Sequence, residues 1–276
     1  MPINRQQFYS PEELLEKVEE KIKKTRERGE HIDYLTIVPD GEPTLDENLG
    51  KEIELLKECN MKIAVISNAS LLWKPDVRQD LLDADWVSVK VDAVTSSIWR
   101  KINRPHRKLN LKKILEGATK FSNEYEGELT TETMLVQNVN DTAQELAKIA
   151  DFTAQLNPAK SYLSIPTRPP AESWVNPASE KTVTMAYQVF TAKSMDAECL
   201  TGFEGDAFAF TGDVEEDLLS ITSVHPMREE GTAQFLTKAH AGWEVIEKLI
   251  REHKLVEVTY KNKKFYIRNF RMGKGK

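Results

Sequence analysis

Polar side chains collect where successive β-favouring runs of this sequence end. The candidates are Asp40, Gly41 and Glu42 after a first run, Ser67 and Asn68 at the end of a second, Ser88, Lys90 and Asp92 along a third, Glu132, Gln137 and Asn138 in or after a fourth, and Thr167 and Arg168 after a fifth. Their acceptor groups suit a ligand ammonium, and a lysine can donate to a ligand carboxylate. A glycine lets backbone approach a ligand closely. The set predicts a zwitterionic, amino-acid-like ligand that also carries a polyol or a ribose.

Alternating strands and helices must position these side chains. Strand-like runs occupy 34–38, 62–67, 86–92, 129–136 and 161–165, and helical patterns occupy about 45–59, 75–83, 96–103, 110–125, 142–156 and 179–195. A short strand near 197–201 and a helix in EEDLLSITS follow. This alternation is typical of parallel strands with right-handed crossovers, in an open α/β sheet or a barrel. Because such folds bind ligands at the carboxyl ends of their strands, the polar candidates should share one edge.

The third run shows two different faces. In 86–92, three valines alternate with Ser88, Lys90 and Asp92. The valine row suits packing beneath helices, whereas buried Ser, Lys and Asp side chains are costly unless they line a wet or ligand-filled space. A solvated edge strand is the alternative, and the position of this run in the middle of the series disfavours it.

The amino-terminal helix has no strand before it. Ser10 and Pro11 form a strong helix start, and the helix is expected to extend to about Gly29. The nine preceding residues are too polar for a buried strand. The sequence therefore predicts that the chain begins partway through a strand–helix unit.

Composition excludes several classes of protein. With 40% apolar and 30% charged residues and no apolar run of about 18 residues, the sequence predicts a cytoplasmic protein without a membrane partner. Cys59 and Cys199 are its only cysteines, which disfavours disulfides and Cys-based zinc sites. Glycine-rich dinucleotide and phosphate loops, zinc-protease motifs and nucleophile elbows are absent. The sequence assigns no catalytic residue and no metal ligand.

The last 52 residues differ in charge from the rest. Residues 225–276 carry 12 Lys and Arg against 6 Asp and Glu, whereas the whole chain has a net charge of −6. Helical patterns at 226–239 and 241–253 precede two strands, LVEVTY and KFYIRNF. This order predicts a small winged-helix-like module at 225–276 after a barrel at 1–224; a packing or dimerisation cap is an equal alternative. The basic side chains Lys261, Lys263, Lys264, Arg268 and Arg271 suggest RNA or tRNA as a partner, or only a solvated face.

An ordered series of motifs resembles the radical S-adenosylmethionine (SAM) superfamily. The series is GEPTL, SNASLL, VKVDA with WRKINRPH, ETMLVQNVND and HPMREE. Within that superfamily, it is most similar to the iron–sulfur oxidoreductases related to wyosine-forming tRNA enzymes. The resemblance covers nearly the whole chain.

This resemblance implies a partial (β/α)6 TIM-like barrel, here without its first strand, with SAM bound across its strand ends. It places Gly41 and Glu42 at the methionyl ammonium, and it maps Ser67 and Asn68 to the end of the next strand. Ser88, Lys90 and Asp92 take the ribose and carboxylate contacts, and Glu132 is a further contact. Members of the superfamily also use a [4Fe–4S] cluster.

The chain departs from the superfamily at the cluster. The three cysteines of a CxxxCxxC loop are absent, and Ala69 stands where the superfamily commonly has glycine. We therefore expect an amino-terminally truncated or inactive form, whose complete version would cleave SAM reductively. One alternative is a cluster-free scaffold that binds nucleic acid through 225–276. Another, a barrel enzyme for a phosphorylated metabolite, is disfavoured because no glycine-rich phosphate loop is present. The substrate and the oligomeric state stay open.

Overall fold

The computed structural model describes residues 3–38, 41–201, 208 and 210–269. Asp40 and Arg271, singled out above, lie outside the described residues. The described residues form two compact units. The first takes those of 1–18, 33–167 and 172–202, and the second takes those of 19–32, 168–171 and 203–276.

Six parallel strands form the sheet of the first unit, in chain order from one edge to the other. They are β1 (Tyr34–Ile37), β2 (Lys62–Ser67), β3 (Trp86–Lys90), β4 (Glu128–Met134), β5 (Lys160–Ser164) and β6 (Ala197–Leu200). Helix α1 (Pro11–Glu27) contributes residues 11–18 to this unit. The other helices of the unit are α2 (Leu49–Leu56), α3 (Pro75–Leu81), α4 (Ser96–Asn103), α5 (Leu111–Glu124), α6 (Ala143–Gln155) and α7 (Glu180–Thr191). The predicted α/β class is confirmed. None of the helices described is long and apolar enough to cross a membrane.

Only one face of this sheet carries the apolar core. Side chains from alternate strand positions pack against the helices and are nearly all inaccessible to solvent, among them Val65, Val87, Val89 and Leu163 with Ile53, Phe121, Leu146 and Phe190. Burial of each such side chain contributes about 1.5–3 kcal/mol. The alternate positions face away from the helices and carry Ser88, Lys90 and Glu132. The predicted valine row therefore lies on the helix side, and the polar row lies on the open side.

Strand β1 forms an edge of the sheet within the described chain, where it pairs only with β2. Residues 3–10, which precede α1, form no strand, as their polarity predicts. They do make an isolated bridge between Gln6 and Asp46. The guanidinium of Arg5 anchors the segment through an ion pair with Asp76 at 3.0 Å and another with Asp80.

The second unit contains a three-stranded antiparallel sheet in the order β7-β9-β8. Its elements are α8 (Val214–Val224), β7 (Met227–Arg228), α9 (Glu229–Lys238), α10 (Glu244–Arg251), β8 (Leu255–Tyr260) and β9 (Lys263–Arg268). Lys261 and Asn262 have φ angles of 48° and 59°, which suit the two-residue turn of a hairpin. The hairpin predicted around KNK is therefore present.

Two details of this unit differ from the sequence prediction. The predicted helix at 226–239 begins as strand β7, because Met227 pairs with Tyr266 on β9 and is completely buried. Helix α8 contributes Leu218 to the same apolar cluster as Met227 and Leu249. The unit therefore includes residues before 225, the predicted boundary.

Glu52 is a buried acid on α2. Its side chain is 4% exposed, and its Oε1 has no hydrogen-bond partner in the part of the chain that the structure describes. Burial, with a smaller contribution from the charge of Asp46, raises the pKa of Glu52 from 4.5 to about 7. The folded state therefore favours the protonated acid, and the resulting stability is lost as the pH rises from about 4.5 through 7.

We predict that Glu52→Gln is more stable than the wild type at about pH 8, by on the order of 2–3 kcal/mol, and that the difference vanishes at about pH 4. Urea unfolding at both pH values measures it. Glu54→Gln, at an exposed position of the same helix, is the matched control and should show no such pH dependence. An equal effect of Glu52→Gln at both pH values would contradict the prediction.

Candidate functional site

Lys90, Glu132 and Ser164 form a polar row at the carboxyl end of the sheet, on its open face. The parallel register places Lys90 opposite Glu132. Ser164 lies opposite Met134, two residues after Glu132 on the same face, so the three polar side chains are neighbours. Lys90 Nζ lies 3.3 Å from Glu132 Oε1, and Ser164 Oγ donates to the same oxygen at 2.9 Å. The lysine and glutamate side chains are 28% and 21% exposed. A ligand can therefore reach both charges.

Asp92 follows β3 and holds two neighbouring segments. Its Oδ1 accepts a hydrogen bond from the backbone N–H of Met134 at 2.9 Å, and its Oδ2 accepts one from Asn103 Nδ2 at 2.8 Å. These contacts join the ends of β3 and β4 to the end of α4. Ser88, two residues before Lys90 on the same face, is 3% exposed and lies deeper in the sheet. Both predicted residues therefore adjoin the polar row.

Asn140 fixes the same strand ends, although the sequence did not single it out. It is completely buried, and its Nδ2 donates to the backbone carbonyls of Asp92 and Met134, each at 2.8 Å. Its Oδ1 accepts from the backbone N–H of Val136 at 2.8 Å. The signal that could have identified Asn140 in the sequence is its position, two residues after the predicted Gln137-Asn138 pair. The amide side chain holds the loop after β4 and thereby the position of β4 beside β3.

Glu42 joins the ends of β1 and β2 through a buried carboxylate. Its Oε1 accepts from Ser67 Oγ at 2.7 Å and from Thr44 Oγ1 at 2.7 Å and backbone N at 3.2 Å. Its Oε2 accepts from the backbone N–H of Asn68 at 2.7 Å. Burial raises the pKa of Glu42, and the Ser67 and Thr44 bonds oppose that shift. The Glu42 carboxylate and the Ser67 hydroxyl thus bond to each other inside the protein, and their predicted ligand contacts stay predictions.

Gly41 and Ala69 shape the two loops that flank this network. Space is open beside Gly41, where an added Cβ would meet no atom of the described residues within 4 Å. Ala69 has a φ of 62°, in the left-handed region that favours glycine. That conformation explains why glycine suits this position. The Asn68 Oδ1 accepts from the backbone N–H of Ser70 at 2.9 Å and so tightens the same turn.

The two cysteines do not fit an iron–sulfur cluster. Cys59 precedes β2, at the opposite end of that strand from Asn68, and Cys199 lies within β6 on its helix-facing side. Burial raises the pKa of the Cys199 thiol, which disfavours the thiolate that a cluster needs. Three thiolates cannot come from two cysteines. No group of three His, Cys, Asp or Glu residues suited to a metal occurs among the residues that the structure describes.

Comparison with known proteins supports one superfamily. The Radical SAM superfamily matches residues 2–152, more than half of the chain. A UPF0026 protein of Methanocaldococcus jannaschii is 46% identical over 271 residues, which are 98% of this chain and 84% of that protein.

Solved structures share the fold at low identity. A radical SAM methyltransferase from Sphaerobacter thermophilus aligns with a TM-score of 0.52 and 14% identity over 71% of this chain and 59% of that one. Streptococcus suis SuiB bound to S-adenosylmethionine aligns with a TM-score of 0.52 and 11% identity over 68% and 43% of the respective chains. At these identities, the likeness shows the fold alone.

The Glu42 network generates a prediction about stability. Glu42→Gln places an NH2 group among donors, which leaves at least one buried group unsatisfied, and should cost about 2 kcal/mol. Glu47→Gln, at an exposed position five residues away, should leave the free energy of unfolding unchanged. Chemical denaturation of both variants measures the difference. Equal stabilities of the two variants would show that the buried carboxylate does not hold these loops.

Proposed function

Because the chain belongs to the radical SAM superfamily and, within it, to the UPF0026 family, we propose that its first unit binds SAM at the carboxyl ends of β1 to β4. The observation that carries this proposal is the Lys90–Glu132–Ser164 row on the open face of the sheet. SAM presents a carboxylate, an ammonium and ribose hydroxyls. A half-buried cation beside a half-buried carboxylate supplies partners for each of these groups.

We assign the individual contacts from the observed environments. Lys90 Nζ is the donor for the SAM carboxylate, and Glu132 is the acceptor for ribose hydroxyls, with Ser88 and Asp92 beside them. The Glu42 carboxylate already has donors from Thr44, Ser67 and Asn68. Backbone carbonyl oxygens near Gly41, where space is open, are therefore the better partners for the methionyl ammonium. The Glu42 and Ser67 side chains hold this loop in place.

The residues present fit SAM, but they do not fit the cluster. Bound SAM would supply a radical for chemistry on a substrate only in a form that also holds a [4Fe–4S] cluster. The cluster cysteines are not among these 276 residues, so our proposal for this chain is cofactor binding. Radical chemistry belongs to a form that includes a CxxxCxxC loop. The order of GEPTL, SNASLL and VKVDA supports placement near the oxidoreductases related to wyosine-forming tRNA enzymes.

Nucleic-acid binding through residues 225–276 is the second candidate. Its support is the excess of basic residues in that segment. In the structure, however, Lys263 pairs with Glu230 at 2.9 Å, and Lys264 lies 3.4 Å from Glu257 and 3.8 Å from Glu229. These local ion pairs reduce the positive charge available to phosphates. The winged-helix-like order of elements is therefore weaker support for function than the polar row.

Calorimetric titration with SAM tests the proposal. We predict that Lys90→Gln raises the Kd by about tenfold, through loss of one charge-assisted hydrogen bond. The matched control is Lys160→Gln, because Lys160 lies on the same face at the opposite end of β5 and also pairs with a glutamate, Glu198, at 3.0 Å. Equal weakening by both substitutions, or no binding of SAM to the wild type, would contradict the assignment.

Anaerobic reconstitution with iron and sulfide tests the statement about the cluster. We predict no stoichiometric [4Fe–4S] cluster and no more absorption near about 400 nm than in a Cys59→Ser/Cys199→Ser variant, because three thiolate ligands are lacking. A full cluster per chain that the double substitution removes would refute the prediction.

A further inference from the structure

A basic cavity lies beyond the end of β4, in the first unit. Its volume is about 540 Å³, within the range of small-molecule pockets. Arg100, Lys101 and Arg104 from the end of α4 line one wall, and Asn138, Trp174 and Asn176 line the others. None of these residues is among the proposed SAM contacts.

Hydrogen bonds and an ion pair hold the walls together. The segment that carries Trp174 runs beside the segment that follows β4, with an isolated bridge between Val136 and Pro177. The backbone N–H of Gln137 donates to the Asn176 carbonyl at 2.9 Å. Arg104 forms an ion pair with Glu172 that joins the end of α4 to the same segment. Two separate parts of the chain are thus fixed around one space.

The charge of the lining favours an anion. The lining contains three cationic side chains and one carboxylate, that of Glu172. Arg100 has no carboxylate within ion-pair distance among the described residues. A guanidinium can bind a carboxylate or a phosphate through two parallel hydrogen bonds. An anionic group that enters the cavity would therefore balance the excess positive charge.

Trp174 favours a planar ring next to that anion. Its side chain is 37% exposed, although it is one of the largest apolar groups of the unit. Lys101 Nζ lies 5.3 Å from the centre of its ring and helps to orient it. An exposed indole face in a cavity is a stacking surface for an unsaturated ring. The side-chain amides of Asn138 and Asn176 add donors and acceptors for the polar edge of such a ring.

We infer that this cavity binds a small molecule with a planar unsaturated ring and a carboxylate or phosphate group, which would be the substrate in a form that also holds the cluster. The inference rests on the proposed function, because the cavity and the Lys90–Glu132 pair lie at the same carboxyl edge of the sheet. Gln137 follows the last residue of β4 by three positions. One strand therefore connects the cofactor row to the substrate cavity.

Titration of the full chain with fragments tests the inference. The probes are phenyl phosphate, benzoate, inorganic phosphate and neutral benzyl alcohol. We expect saturable binding of phenyl phosphate or benzoate, and the stronger of the two identifies the anion. Arg100→Gln should weaken that binding by about tenfold. Trp174→Leu should weaken both ring-bearing anions but leave the affinity for inorganic phosphate unchanged.

Arg107→Gln is the matched control, because Arg107 is exposed and follows α4 without lining the cavity. It should bind every probe as the wild type does. Absence of saturable binding by both ring-bearing anions, or equal weakening in the Arg100 and Arg107 variants, would overturn the inference. A SAM titration separates the two proposals. Absence of SAM binding with fragment binding intact defeats the cofactor assignment and the substrate role but leaves the cavity as a site for ring-bearing anions. The reverse result defeats only the cavity assignment.

Discussion

The parallel register of β3 with β4 is the constraint on which the site depends. It places Lys90 directly opposite Glu132, and the alternation of strand side chains sends Val87 and Val89 into the helix-covered core. A shift by one residue would bury the charges and expose the valines. The core therefore enforces the register, and the register assembles the polar row.

The two polar layers of the site have different energetic roles. Glu42 and Asn140 are buried and fully bonded to protein groups, so their loss would leave buried donors or acceptors unsatisfied. The Lys90–Glu132 pair is partly exposed to solvent, which screens its attraction, and solvent-exposed pairs contribute only about 0–1 kcal/mol. A ligand can therefore replace that contact at small cost. The buried groups hold the geometry, and the open pair remains available for binding.

Much of the fold could be predicted from the sequence, because parallel α/β units combine a repeated pattern with local signals. The strands predicted at 62–67 and 161–165 lie within one residue of those observed. Strand β7 could not be predicted, since it exists only through pairing of Met227 with Tyr266 far along the chain. In the site, sequence alternation separated Lys90 from the valines of its strand, and the structure places Lys90 on the open face. The hydrogen bond from Ser67 to Glu42 and the cavity beside Trp174 depend on loop paths that no local pattern encodes.

The central claim is that the open face at the carboxyl ends of β1 to β4 binds SAM. A crystal structure of this chain grown with excess SAM tests it most directly. We predict ligand density with the SAM carboxylate within hydrogen-bond distance of Lys90 Nζ and a ribose hydroxyl beside Glu132. Density for SAM elsewhere on the chain, with the Lys90–Glu132 pair unchanged, would contradict the claim.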